Sequence, residues 1–414
     1  MARSIVQISG HIIDSLILPK VLDLIINMGA EFEILDVHIG HRRADRSAAR
    51  IQIDAPTQEL LEQILAKVKE HGALPVEAEE EAVQYEEAPG DGIFPDHFYA
   101  TTNLPTWIRL NEQWLEVEHP EMDCGIRLNL ETRRAETVPM HQVRQGEIIV
   151  VGHTGVKIVP MERRVPREPF EFMSSSVSTE QPKGLLIREI AVSMNRTRAE
   201  HGRILVVAGP GLVHTGASRH LIDLIENDFV QVLFAGNGLA VHDIENALYG
   251  TSLGVYLDKN IRATEGHEHH LRAINTIRKA GGIRQAVEQG LVQSGIFYTC
   301  VKKGVDFVLA GSIRDDGPLP DVITDTLKAQ DLMREKIRDV SFALMMATTL
   351  HAIATGNLLP ATVKTVCVDI NPAVVTKLSD RGTFQAIGLV TDVEPFLREL
   401  SQYLTQKNNT IDAA

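Results

Sequence analysis

Arg203–Ala208 reads RILVVA and runs straight into GPGLVHTG, Gly209–Gly216. A short run of branched, apolar residues has the length and composition of a β-strand. It lacks the in–out alternation of a half-exposed strand, which points to burial on both faces, as in a parallel sheet covered by helices. The same phrase recurs downstream. Val230–Ala235 ends in Gly236-Asn237-Gly238, and Asp306–Ala310 ends in Gly311-Ser312-Ile313-Arg314-Asp315-Asp316-Gly317-Pro318. Thr365–Asp369 runs into Ile370-Asn371-Pro372, and Gln385–Val390 into Thr391-Asp392-Val393. Helical periodicity lies between them, at Ser218–Glu226, Glu268–Ala280, Ile283–Gln289, part of Val322–Arg338, and Ser341–Thr355. The expected fold class is therefore α/β, with a C-terminal parallel sheet carrying helices on both faces over residues 184–408.

In an open parallel sheet, ligands bind beyond the carboxyl ends of the strands. Glycine there lets a phosphate approach the backbone, and the following helix N-terminus adds partial positive charge. Asp369 and Asp392, at strand tips, are placed to accept hydrogen bonds from ribose hydroxyls. One glycine after one strand is commonly just a turn; five polar or glycine-rich strand ends together point to a dinucleotide. GPGLVHTG is not a G-x-G-x-x-G fingerprint, because its last glycine is displaced to Gly216. The pattern suits a dinucleotide site of a different lineage.

Upstream, residues 1–78 read as strand Ser4–Ile8, helix Leu16–Met28, strands Glu31–Ile39 and Ser47–Ile53, helix Thr57–Glu70 and a last strand Leu74–Val76. Gly29 and Gly72 stop the two helices. This βαββαβ order is the ferredoxin-like pattern, which serves as a packing module or binds regulators. Glu77–Glu87 holds six glutamates in eleven residues, and residues 79–91 read as a solvated acidic linker. Residues 92–183 form a small β-rich unit, with strands at Trp107–Leu110, Gln113–Val117, Gly125–Leu130, Glu147–Val151 and Val156–Val159. Arg163–Pro169, rich in Arg and Pro, reads as a connector.

Of the 414 residues, 44% are hydrophobic and 23% charged, an ordinary globular balance. No apolar run reaches the ~18 residues of a membrane span, and MARSIVQISG lacks the apolar core of a signal peptide. Acidic residues outnumber basic ones by 55 to 41, giving a net charge of −14, which argues against nucleic acid as a partner. Three widely spaced cysteines, Cys124, Cys300 and Cys367, exclude a disulfide framework and suit a reducing cytoplasm.

AGSIRDDGPLP (Ala310–Pro320) and CVDINPAVVTKLSDRG (Cys367–Gly382) closely resemble the LOR/SDH conserved-domain family, as do Phe94–Thr106, PEMDCG (Pro120–Gly125) and FEFMSSSV (Phe170–Val177). The family includes archaeal-type ornithine cyclodeaminases and the C-terminal half of the bifunctional arginine dihydrolase/ornithine cyclodeaminase. The resemblance spans nearly the whole chain. It implies a nucleotide domain similar to that of deoxyhypusine synthase. The arginine-hydrolysing domain has no counterpart here, so arginine is not an expected substrate. The resemblance further implies an NAD site using Asn237, Gly238, Asp316, Thr348, Thr349, Leu350, His351, Asp369, Asp392 and Val393. All agree with the strand-end reading except Thr348–His351, a stretch that reads as plain helix with Ala347, Leu350 and Ala354 in the core.

The implied reaction converts ornithine to proline and ammonia, with hydride lent to NAD⁺ and recovered within one turnover. It needs a cationic grip on the α-carboxylate, a group that moves protons between two amines, and a dry pocket. Arg314 is the candidate for the carboxylate, with a cofactor phosphate or Asp315 as its alternative partner. Asp123 reads as a buried aspartate that steers amine protonation. Asn103 reads as a substrate contact or as a turn residue before Pro105. Cys124 reads as a small buried apolar residue, because this chemistry needs no thiol. Ser174–Ser176 reads as a phosphate or substrate contact, or as a helix cap. Glu265-Gly266-His267-Glu268-His269-His270 lacks metal-ligand spacing and reads as a polar helix start; no metal is expected. An NAD-dependent amino-acid dehydrogenase of lysine or saccharopine metabolism, and a non-catalytic NAD or amino-acid sensor, remain open alternatives. A homo-oligomer is the expected assembly.

Overall fold

The computed structural model describes residues 2–10, 12, 17–40, 47–69, 71–75, 81–159, 177–178, 183–256, 261–262, 266–315, 317–380 and 386–405. Arg163–Pro169, Ser174–Ser176 and Asp316 lie outside them. The chain divides into two compact units, Met1–Glu171 with Leu359–Thr362, and Phe172–Leu358 with Val363–Ala414.

The first unit contains two sheets. Strands Ala2–Gly10, Glu31–His38, Ser47–Ala55 and Leu74–Pro75 form a four-stranded sheet in which the first strand lies between the third and fourth. Every described pairing in it is antiparallel. Helices Ile17–Asn27 and Gln58–Lys69 supply Val21, Ile25, Leu61, Ile64 and Val68 to the core beneath it. This is the expected βαββαβ arrangement. Gly29 and Gly72 follow the helices at φ +84° and +82°, conformations that glycine adopts without a Cβ penalty.

The second sheet has seven strands, running Val156–Ile158, Thr106–Leu110, Gln113–Glu118, Arg134–Val138, Gly125–Asn129, Ile148–Val151 and Gln84–Glu87 across it. Two of these correct the sequence reading. Arg134–Val138 went unrecognised. Gln84–Glu87, read as acidic linker, pairs antiparallel with Ile148–Val151. Its side chains are exposed, so glutamates remain solvated while the backbone completes the edge of the sheet.

The second unit holds an eight-stranded sheet in which every described pairing is parallel. Six strands carry the architecture, numbered first to sixth in chain order: Arg203–Ala208, Val232–Gly236, Asp306–Ala310, Val340–Met346, Lys364–Asp369 and Ala386–Val390. Across the sheet they stand third, second, first, fourth, fifth, sixth. That is the order of dinucleotide-binding sheets, with its switch point between the first and fourth strands. Short edge strands Val177–Ser178 and Val322–Ile323 extend the two sides. The helices Lys183–Ala199, Ser218–Glu226, Asn237–Tyr249 and Val393–Thr405 bury residues such as Met194, Leu221, Ile244 and Phe396 in one core cluster with the strands.

The fourth strand is the main correction. Ser341–Thr355 was read as one helix. Instead Val340–Met346 is a central strand, with Phe342–Met346 fully buried, and a separate helix covers Leu350–Leu358. A strand buried on both faces shows no period of two, so FALMM was indistinguishable from helix by periodicity. Leu350, expected in the core, is 72% exposed. Among the described residues no helix is long and apolar enough to cross a membrane.

Candidate functional site

The correction at the fourth strand also places Thr348–His351. These residues follow Met346 directly, so they form a strand end like the others, at the switch point itself. The first and fourth strand ends are pressed together there. The Gly209 N–H donates to the Met346 carbonyl at 3.0 Å. A Cβ on Gly209 would stand 1.8 Å from the Ala347 carbonyl oxygen, and one on Gly211 would stand 3.0 Å from Ala347 Cβ. Ala347 itself sits at φ +51°, a left-handed conformation that is strained for alanine and held by its surroundings. Gly209 and Gly211 thus serve close packing of two strand ends rather than a G-x-G-x-x-G turn.

The residues expected to hold the coenzyme, Asp316 aside, lie at the ends of these strands. Gly236 ends the second strand, and a Cβ there would stand 2.7 Å from His351 Cε1. Asn237 is buried, and its Oδ1 accepts the Leu319 N–H at 3.1 Å, which ties the second strand end to the loop after the third. Gly238, next along, has only Pro210 within 4 Å of its would-be Cβ, the nearest atom at 3.7 Å. In the loop after the third strand the Asp315 carboxylate accepts the Ser312 N–H at 2.9 Å. Ile313 and Arg314 are exposed. Burial holds the His351 imidazole below its usual pKa, and the Asp315 charge pulls the other way. At the fifth strand end Asp369 is 9% exposed and accepts the Asn371 N–H at 2.8 Å. At the sixth, Asp392 is exposed and caps the helix Val393–Thr405 by accepting the Glu394 N–H at 3.1 Å, with Val393 buried beside it.

The helices Asn237–Tyr249, Leu350–Leu358, Pro372–Asp380 and Val393–Thr405 begin beyond the second, fourth, fifth and sixth strands. Their N-terminal N–H groups and dipoles favour an anion. The helix N-termini beyond the strands, Gly238 and two strand-end aspartates are of the chemistry that suits a dinucleotide's pyrophosphate and ribose hydroxyls.

In the first unit, backbone hydrogen bonds tie Thr101 to the segment that carries Asp123. Thr101 N–H donates to the Cys124 carbonyl at 2.8 Å, and Asp123 N–H to the Thr101 carbonyl at 3.1 Å. Thr101 Oγ1 donates to the Glu121 carbonyl at 2.6 Å. Asn103 is 1% exposed, and its carbonyl accepts the Ala361 N–H at 2.8 Å. PEMDCG and the segment before Thr106 are thus one structural element. Gly125 completes it, since a Cβ there would stand 2.6 Å from the Phe94 ring. Asp123, expected to be buried, is exposed instead and adopts φ +61°. The tight turn that the left-handed residue makes carries its side chain out of the core. Cys124 is buried and forms no disulfide, in keeping with the small buried residue expected there.

One constellation was missed in the sequence. His242 and Glu245 lie one turn apart on the helix that starts after Gly236, and His214 ends the short helix Gly211–His214. The two imidazoles meet edge to face with ring centroids 4.8 Å apart. Glu245 is fully buried and accepts from His242 Nδ1, Thr251 Oγ1, and the N–H groups of Leu253 and Gly254, at 2.9, 2.9, 3.2 and 2.9 Å. Burial works to raise its pKa, but these donors outweigh it and hold the carboxyl below its usual value. The signal available in the sequence was a His and a Glu three apart, just past a glycine strand end. Gly266–Glu268 forms a 3-10 turn ahead of helix His269–Ala280, the polar helix start that the sequence suggested, while Glu265 lies outside the described residues. Among the described residues no three His, Cys, Asp or Glu side chains are grouped to hold a metal ion.

Comparison with known proteins decides the lineage. Residues 188–400 match the family described as arginine dihydrolase ArgZ-like, C-terminal, Rossmann fold. Residues 3–104 match the LOR/SDH bifunctional enzyme conserved region, and 105–187 the ArgZ-like C-terminal first region. The ornithine cyclodeaminase of Methanothermobacter thermautotrophicus is 52% identical over 98% of this chain and 99% of its own. The chain belongs to the ornithine cyclodeaminase family of LOR/SDH type. Within that family, the apo structure of cyanobacterial ArgZ, an arginine dihydrolase of the ornithine–ammonia cycle, superposes with a TM-score of 0.85 at 38% identity. The match covers 98% of this chain and 58% of ArgZ. The ternary complex of AgrE with ornithine and NAD⁺ is 40% identical over 97% of this chain and 57% of AgrE, with a TM-score of 0.53.

Proposed function

We propose that this protein converts L-ornithine to L-proline and ammonia, using NAD⁺ that is restored within each turnover. The observation that carries the reading is the 52% identity, end to end, with an archaeal ornithine cyclodeaminase, on a sheet whose switch point suits a dinucleotide. AgrE, a relative crystallised with ornithine and NAD⁺ together, supports both ligands.

NAD⁺, when bound, accepts hydride from the substrate's α-carbon and returns it, so no net oxidation results. The chain's own groups do the rest. Asn237, Gly238 and the Thr348–His351 strand end hold the pyrophosphate by backbone N–H groups and helix dipoles. Asp369 and Asp392 would accept from ribose hydroxyls, with Val393 beside Asp392; Asp316, outside the described residues, is assigned to the coenzyme by the resemblance alone. Arg314, with its guanidinium in solvent, binds the α-carboxylate as a bidentate fork. Asn103 and Asp123, in the first unit, are the candidates that the family resemblance offers for the substrate's amines.

Proline formation, a cytoplasmic setting and a homo-oligomer belong to the same reading. The three cysteines are buried and form no disulfide, which suits a reducing compartment. The edge strand Glu31–His38 exposes Ile34, Leu35 and Val37, an apolar edge suited to pairing with a second copy. Sedimentation of the purified chain tests that assembly, and a monomer at micromolar concentration would remove it.

The deciding experiment incubates the protein with NAD⁺ and a panel of basic amino acids, with mass spectrometry for proline and its homologues. Proline and ammonia from ornithine without NADH are expected. Steady NADH accumulation would identify a dehydrogenase instead, and coenzyme binding without ammonia release would identify a sensor.

A further inference from the structure

The chemistry described above leaves one task without a firm owner. The δ-nitrogen must lose a proton as it bonds to the α-carbon, and the α-nitrogen must gain one as its bond to that carbon breaks. Asp123, offered for this task, is exposed on a turn of the first unit. In the second unit, the His214–His242–Glu245 constellation has the features such a task requires.

Glu245 is the anchor. A carboxylate offers about four lone-pair sites, and each of its oxygens accepts two donors: Thr251 Oγ1 and Gly254 N–H on Oε1, His242 Nδ1 and Leu253 N–H on Oε2. Its acceptor capacity is thereby spent, so it has no role left as a base. An acceptor-only partner at 2.9 Å requires the proton of neutral His242 to sit on Nδ1. Nε2 is then the basic nitrogen, and among the described residues it has no hydrogen-bond partner. The His242 side chain is 14% exposed, enough to be reached and too little to be freely solvated.

The surroundings hold this geometry. His214 Nδ1 shares a hydrogen bond of 2.7 Å with Ser252 Oγ. Thr251 Oγ1, having donated to Glu245, accepts from His269 Nδ1 at 2.9 Å, and His269 stacks on Tyr249. Asp243, next to His242 in sequence, is engaged elsewhere, accepting the N–H groups of Ile296 and Phe297. The charged and titratable groups facing His242 are therefore Glu245 and His214, with His269 behind Thr251. Burial, and then the neighbouring His242, keep His214 below its usual pKa, against a weaker pull from Glu245. Both imidazoles stem from strand-end segments of the coenzyme cleft: His214 follows GPG after the first strand, and His242 follows Gly236-Asn237-Gly238 after the second. A Cβ built on Gly238 would stand 3.7 Å from Pro210 Cγ there.

We propose that His242 Nε2 is the proton-transfer group of the reaction, with Glu245 as its positioning residue and His214 as the second imidazole of the relay. Nε2 takes the proton from the δ-nitrogen as the new C–N bond forms and delivers it to the α-nitrogen, which leaves as ammonia. The proton lost by one nitrogen is the one gained by the other, so the imidazole ends neutral. The proposal rests on ornithine being the substrate.

The test compares the full-length wild-type protein with His242→Gln, whose side-chain amide still offers Glu245 a donor. The variant is expected to bind NAD⁺ within twofold of wild type by calorimetry while kcat falls at least ~100-fold, the usual worth of a positioned acid–base group. Added imidazole restores part of that loss, and the acid limb of the kcat–pH profile disappears from what remains. Independently of activity, nitrogen-15 NMR of wild type free of substrate is expected to show His242 protonated at Nδ1, with an Nε2 resonance that moves when ornithine is added. A kcat within threefold of wild type with an unaltered pH profile would overturn the proposal, as would an Nε2–H tautomer. If the variant does not fold, the NMR result decides. If wild type makes no proline from ornithine, the substrate reading fails first, and the failure is recognisable as such.

Discussion

Gly238→Ala separates coenzyme binding from folding. Gly238 is the second residue of the helix Asn237–Tyr249. A methyl group there meets Pro210 Cγ at 3.7 Å and Pro210 Cβ at 3.9 Å, ordinary contact distances, with no other neighbour within 4 Å. The free protein therefore accommodates alanine without rearrangement. Replacing glycine in a compatible helical position restricts the unfolded chain and stabilises by about 0.4–1 kcal/mol, so the thermal midpoint of the nucleotide-free protein rises by about 1–4 °C. The bound state behaves oppositely. A phosphate oxygen must come within about 3 Å of the backbone N–H groups, and the methyl occupies that approach. Losing one charge-assisted hydrogen bond costs about 1.5–3 kcal/mol, which weakens NAD⁺ binding about 10–150-fold. Calorimetric titration with NAD⁺ and a thermal melt without it measure the two effects separately. A raised midpoint with unchanged affinity would refute the placement of the pyrophosphate, and a lowered midpoint would refute the packing described at Gly238.

Asp369→Ala is expected to weaken NAD⁺ binding while costing the fold about 1 kcal/mol for the lost Asn371 hydrogen bond; equal affinity in a titration would remove Asp369 from the site. Asp123→Asn tests the competing assignment of proton transfer to Asp123, which would reduce turnover much more than NAD⁺ affinity. Asparagine tolerates the left-handed backbone there, so a wild-type kcat would exclude the carboxylate from catalysis rather than report misfolding. Burial pushes Asp243 from 3.8 up to about 6 against two opposing backbone hydrogen bonds. A group whose folded value exceeds its unfolded one stabilises fully below the unfolded pKa, and that contribution is lost as pH rises through the folded pKa. Relative to Asp243→Asn, wild type should therefore lose about 3 kcal/mol of stability between pH 4 and pH 7. Denaturation at both pH values checks this, and parallel pH dependences would refute it.

Most strands of the C-terminal sheet and their glycine or polar ends were legible in the residues. A strand buried on both faces in a parallel sheet is a short apolar run with glycine or a polar turn after it. Arg203–Ala208, Asp306–Ala310 and their trailing loops announce themselves in that way. Val340–Met346 did not, because Ala, Leu and Met favour helix and a doubly buried strand has no alternation to contradict them. That one misreading hid the switch point, and with it the reason Thr348–His351 belongs with the other strand ends. Asp123 was misjudged for a related reason. Residue type and motif suggested burial, but exposure depends on a turn whose left-handed φ is set by bonds to Thr101, twenty-two positions earlier in the chain.

Sequence alone determined the local elements, the acidic surface, the glycine-tipped strands and the membership in a lineage. Those depend on propensity, periodicity and short motifs, which neighbouring residues settle among themselves. Only the tertiary structure decided the order of strands in the sheet, the strand end that meets Gly209, and the meeting of His214, His242, Glu245, Ser252 and His269. Sheet pairing and buried hydrogen bonds join residues far apart along the chain, and their energies depend on distances that exist only after the core has closed.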